Sequence, residues 1–124
     1  MPKVVINNTK GLFQKTGGGL ALFGGGVESV AAAAAGANAP IAATTSLALC
    51  TSANDAHQVD LPAIADVEVG HTILIASIGS ADVVINTPGT ETINGGPTAT
   101  TGQNTVVLCV KATATTWVAI NTGV

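Results

Sequence analysis

The chain has 124 residues, 47% hydrophobic, 9% charged and 2% aromatic, with a net charge of −3. Disorder driven by charge and polarity is excluded. The only cations are Lys3, Lys10, Lys15 and Lys111, with no arginine, which argues against the basic face that nucleic-acid binding needs. A surface so poor in charge is expected to be covered in large part by protein. In chain order, residues 1–45 read as an extended Gly/Ala-rich arm carrying three apolar islands, Val4-Val5-Ile6, Leu12-Phe13 and Leu20-Ala21-Leu22-Phe23. The triplets Gly17-Gly18-Gly19 and Gly24-Gly25-Gly26 carry a large backbone entropy cost when ordered, so the arm needs a partner to hold it. Fully extended, an arm of this length reaches roughly 150 Å. Val30 to Ala35, between Ser29 as N-cap and Gly36 as stop, is expected to form a helical turn or two.

Residues Ser29 to Asn54 contain no charge but lack the Leu/Ile/Val density of a membrane span, and Pro40 interrupts them. A signal-peptide reading, with Ala37-Asn38-Ala39 as cleavage site, is opposed by the glycines that break its apolar core and by Glu28. From residue 46 onward the pattern is that of a small all-β domain. Its candidate strands are Ser46–Thr51, Gln58–Leu61, Thr72–Ile78, Asp82–Asn86, Thr90–Ile93, Thr105–Lys111 and Thr116–Asn121. Turn signals such as Ser52-Ala53-Asn54-Asp55, Pro88-Gly89 and Asn94-Gly95-Gly96-Pro97 separate them. This spacing predicts a small antiparallel β-sandwich or barrel. Ile73 to Ala76, Val83 to Ile85 and Val106 to Val110 are apolar at successive positions, so these strands are expected to be covered on both faces. A domain of this size cannot supply both covers itself, which points to an oligomer closed by a neighbouring copy, preferably a trimer.

The run Val59-Asp60-Leu61-Pro62, Val69-Gly70-His71-Thr72-Ile73 and Ile78 to Ile85, followed by Pro88-Gly89-Thr90-Glu91-Thr92-Ile93-Asn94-Gly95-Gly96 and Thr115-Thr116-Trp117-Val118-Ala119, resembles the small β-domains of tailed-bacteriophage virion proteins. Such domains occur in capsid decoration proteins, head fibres and tail fibres. The resemblance covers about residues 45–124 and implies a trimeric all-β module on the virion surface, made in the host cytoplasm. It further implies an amino-terminal arm that fastens the module to the particle. On that reading Val4, Val5, Ile6, Leu12, Phe13, Leu20, Leu22 and Phe23 bind the major capsid protein, filling grooves or adding strands to sheet edges. The expected function is a structural virion protein, a decoration (cement) protein whose arm ties neighbouring capsid subunits. The alternative is a tail or head fibre protein involved in host attachment.

The residues point to little chemistry. The glycine-rich stretch at 17–26 follows Lys15-Thr16, whereas a phosphate loop places its Lys-[Ser/Thr] pair after the glycines. Cys50 and Cys109 lie among apolar residues without a second ligand pair, so they read as buried thiols, with a disulfide open if their strands are adjacent. His57 and His71 are isolated and read as loop histidines; one per chain could meet another across a symmetry axis. Asp55, Asp60, Asp66, Glu68 and Asp82 lack calcium-loop spacing and read as solvated charges. Gly89 and Gly95 are expected at positive φ, and Glu91 reads as a solvated turn carboxylate, with bonding to turn amides the alternative. Trp117 is expected to plug one end of the domain with its indole N–H on a carbonyl, a sugar-stacking role being the alternative. No triad spacing stands out, and the chain reads as a non-enzyme with no cofactor, metal, small-molecule substrate, nucleic acid or membrane.

Overall fold

Short runs of β-branched and aliphatic residues, each closed by a Gly, Pro, Asn or Ser turn, make strands too short to stand alone. A computed structural model describes residues 3–7, 11–16 and 26–121. Strands β1 (Lys3–Asn7) and β2 (Gly11–Thr16) form an antiparallel hairpin and a sheet of their own. The chain then winds between two further sheets. Strands β3 (Gly26–Ala31), β5 (Thr45–Thr51) and β7 (Thr72–Ser77) enter one, and β4 (Ala39–Pro40), β6 (Gln58–Asp60) and β8 (Val83–Asn86) enter the other. Within each sheet these consecutive strands pair in parallel, β3 with β5, β5 with β7, β4 with β6 and β6 with β8. Each coil therefore stacks on the one before, which is a β-solenoid.

The winding ends in a reversal. After β9 (Thr92–Ile93), strand β10 (Thr98–Thr101) runs antiparallel to β8, and β11 (Val106–Lys111) runs antiparallel to β7. Strand β12 (Thr116–Asn121) pairs antiparallel with β11 and parallel with β9. The sheets are a six-stranded one in the order β3-β5-β7-β11-β12-β9 and a four-stranded one in the order β10-β8-β6-β4. All-β is thus correct, but the expected antiparallel sandwich or barrel is replaced by parallel coils. The reason is that each strand is followed by a strand of the opposite sheet, so a coil returns to its starting face in the same direction.

Three local expectations change with it. The division at residue 45 moves, because residues 26–44 supply the first coil, with Val30 and Ile41 in the core. Val30 to Ala35 is no helical turn: Val30 and Ala31 end β3, held by the ladder to Cys50 and Thr51. The unexpected strand β10 is built from Thr98-Ala99-Thr100-Thr101, a threonine-rich run that the apolar pattern passes over. Of the expected arm, residues 3–7 and 11–16 form the paired strands, and Leu20, Leu22 and Phe23 lie outside the described residues.

The core is a narrow slot between the sheets. Alternate residues point into it: Ala48 and Cys50 from β5, Ile73 and Ile75 from β7, Val107 and Cys109 from β11, Val59 from β6, and Val83 and Ile85 from β8. Trp117 is fully buried and is among the largest residues in the slot. Polar side chains staple the coils at both edges. Asp60 Oδ1 accepts from Asn38 Nδ2 at 2.7 Å and Asn86 Nδ2 at 3.1 Å, joining three coils. On the opposite edge Asp55 Oδ1 accepts from the Asp82 amide at 2.9 Å, and Asp82 Oδ1 accepts from the Gln103 amide at 2.8 Å. These three aspartates are coil staples and not merely solvated charges.

Gly95 has φ of +83° and follows Asn94 at +52°, giving the tight turn that lets Ile93 and Gly96 exchange backbone bonds of 2.7 and 2.9 Å. Gly89 is not at positive φ; a Cβ there would meet the Glu91 carboxylate. At Gly79 a Cβ would sit 2.5 Å from the Ser52 amide nitrogen and 2.6 Å from its carbonyl oxygen. Those are backbone atoms that cannot swing aside. Lys111 is buried, and its Nζ donates to the carbonyls of Ile64 at 2.7 Å and Val67 at 2.6 Å, pinning the long 61–71 connection.

Two substitutions test this account by chemical denaturation. Gly79→Ala is expected to lose about 1–3 kcal/mol as the coils are forced apart. Lys111→Met, which keeps the stem and leaves two carbonyls unpaired, is expected to lose roughly 2–4 kcal/mol.

Candidate functional site

The strands of the six-stranded sheet carry a second set of alternating residues, and these point away from the core. On β5 they are Leu47 and Leu49, on β7 Leu74 and Ala76, on β11 Val106, Leu108 and Val110, and on β12 Val118 and Ile120. The pairing aligns them. Val27, Leu47, Leu74, Leu108 and Ile120 occupy one register column across five strands. Beside it run Leu49 with Ala76 and Val106, and Val110 with Val118. Among the described residues no charged side chain lies on this face, because Glu28 and Lys111 point inward. Its margins are open to solvent, Val27 being 66% and Ile120 51% exposed.

The outer face of the four-stranded sheet is of the other kind. Its outward columns are Pro40, Asp60, Asn86 and Thr98, and Gln58, Val84 and Thr100. The molecule therefore has one apolar and one polar broad face. Contiguous apolar faces of this sort are what soluble monomers avoid and interfaces use.

The expected binding residues divide. Val4, Val5 and Ile6 lie in β1, and Leu12 and Phe13 lie in β2, with Val5 opposite Phe13 and Ile6 opposite Leu12. The other groups singled out in the sequence do not converge. His57 is on the 52–57 connection and His71 on the 61–71 connection, at opposite edges of the coils. Burial lowers the His71 pKa, and its Nε2 has no hydrogen-bond partner. Among the described residues no three of His, Cys, Asp and Glu gather as metal ligands would. Glu91 is not a solvated turn carboxylate: its Oε1 accepts from the Ile64 amide at 3.3 Å, away from its own turn, and its Oε2 is buried. The Trp117 indole N–H has no acceptor, contrary to expectation, and full burial removes the ring from sugar stacking. Among the described residues no helix is long and apolar enough to cross a membrane.

Cys50 and Cys109 are free and buried, and strand β7 separates the strands that carry them. Burial pushes the Cys109 thiol up to about 12. Burial, with Glu28 adding to it, does the same for Cys50. Two shallow depressions lie at the coil edges, one lined by Thr51, Ser52, His57, Gly79 and Ser80, the other by Pro40, Asp60, Leu61, Pro62 and Pro88. In the first, Ser52 Oγ donates to the Asn54 carbonyl at 2.8 Å and Ser80 Oγ to the Ser52 carbonyl at 3.5 Å, so neither serine hydroxyl is directed to His57. No protein-family model, curated protein or solved structure matches the chain. The apolar sheet face is accordingly the site with most to say about function.

Both cysteines are expected to resist labelling. At pH 8 a disulfide reagent should modify them at least about 100-fold more slowly in the folded chain than in denaturant, since thiolate is the reacting form.

Proposed function

We propose that this chain is a structural protein of a bacteriophage virion, a trimeric capsid decoration protein. The observation that carries the reading is the uncharged column Val27–Leu47–Leu74–Leu108–Ile120 on a sheet whose opposite partner face is polar. Three copies placed around an axis bury these faces against one another and leave the polar four-stranded sheets outside. Each leucine moved from half-burial to full burial adds a fraction of the roughly 1.5–3 kcal/mol that such a side chain gains in total. Closed symmetry then repeats that gain at every interface. The resemblance of residues 45–124 to virion surface domains supports the same reading. In it, the amino-terminal segment ties the module to capsid subunits, and threefold avidity makes weak individual contacts act together. The role is mechanical, holding shell subunits across their seams.

The test joins two measurements on the full-length chain. Light scattering is expected to give three times 12.1 kDa, and Leu74→Lys, at the middle of the face, is expected to weaken association on the order of 100-fold by burying a charge with circular dichroism unchanged. The wild-type chain is expected to co-sediment with empty capsids of the virus that encodes it, at hundreds of copies per particle. A stable monomer, or a few copies confined to the tail, would sink the decoration reading.

A further inference from the structure

The two ends of the six-stranded sheet are finished differently. At one end the Asn94 side chain pairs with the backbone of Ala119: Nδ2 donates to its carbonyl at 2.8 Å and Oδ1 accepts from its amide at 3.0 Å. With β9 paired to Thr116 and Trp117, the outer side of β12 is blunted against further strands. At the other end lies β3. The amides of Gly26 and Ala32 point to the β5 side, bonding the Thr44 and Thr51 carbonyls at 3.0 and 2.9 Å. In a parallel ladder the N–H and C=O of one residue point the same way and alternate along the strand. Val27, Ser29 and Ala31 therefore present theirs to the side where no described strand lies. Glu28, the one charge on β3, turns into the coil to accept from Thr45 Oγ1 at 2.6 Å and the Ala42 amide at 3.1 Å, leaving the edge clear.

A strand of matching length is at hand. Strand β3 has six residues, β2 six and β1 five. The β1–β2 hairpin is a separate two-stranded sheet in the single chain. Two strands alone are marginal in water and gain from a third. Among the described residues both the hairpin and the β3 edge are left unextended, so each is open to a strand from another molecule. We propose that β3 accepts the β1–β2 hairpin of a second copy of this chain, extending the six-stranded sheet by strand addition. The inference rests on the trimeric reading above. It locks that trimer by exchange, each copy giving its hairpin to one neighbour and receiving one from the other.

Hydrogen exchange of the full-length chain tests it, read at Val27, Ser29 and Ala31. Their amides are expected to exchange about 100-fold more slowly in the concentrated oligomer than after dilution to monomer, together with the amides of residues 3–7. Ser29→Pro removes an N–H on the open side only, where an edge strand tolerates proline. It is expected to abolish the concentration-dependent protection of Val27 and Ala31 while the Glu28 and Val30 amides stay slow. Ala31→Pro replaces it should Ser29→Pro fail to fold. Fast exchange at Val27, Ser29 and Ala31 at all concentrations overturns the proposal, and so does slow exchange that dilution leaves unchanged, which would mean the chain's own hairpin. A trimeric mass with fast edge amides sinks strand exchange alone and leaves the apolar-face trimer standing.

Discussion

Stacking of one coil on the next is the constraint on which everything else in this molecule depends. Each coil must meet its neighbours at a fixed strand spacing along both sheets. The side chains at the edges are chosen to allow that. Asp60 takes a hydrogen bond from Asn38 in the coil before and from Asn86 in the coil after. Asp55 and Asp82 pass the same kind of contact along the opposite edge to Gln103. Gly79 lets the third coil turn directly against the Ser52 backbone. An aspartate at such a point can accept from two coils at once, which a neutral donor-acceptor pair cannot do as simply.

Stacking also explains the slim interior and what sits at its end. With coils held this close, the inward positions take small or branched residues such as Ala48, Cys50, Val59 and Val83. The large Trp117 comes only after the winding has reversed. Lys111 enters the same region from the neighbouring strand, its register partner being Trp117 itself. Its ammonium group is spent on two carbonyls of the 61–71 connection. A buried cation is thereby used to hold a loop that would otherwise have few backbone partners.

The two broad faces and the two sheet ends give the molecule polarity in two directions. One face is an uncharged aliphatic column and the other is polar; one end is closed by Asn94 and the other ends in the bare side of β3. The proposed trimer uses the first asymmetry and the proposed hairpin exchange the second. Both surfaces are set by backbone register between the coils.

The residues themselves determined that strands would form and where most of them lie. Seven segments were legible from β-branched runs and Gly, Pro and Asn turns, and six-residue strands such as Val106–Lys111 fall within a residue of expectation. That Ile73 to Ala76 and Val106 to Val110 are apolar on both faces was legible too, because no polar residue interrupts either face. Tertiary structure alone decided which strands pair and in which direction. Short strands and turn chemistry carry no record of whether the next strand returns in the same sheet or crosses to another, so parallel coils and an antiparallel sandwich share one local pattern. It also decided that Val27, Leu47, Leu74, Leu108 and Ile120 form a single column. Those five residues are scattered over most of the chain, and only the register between coils brings them to one face.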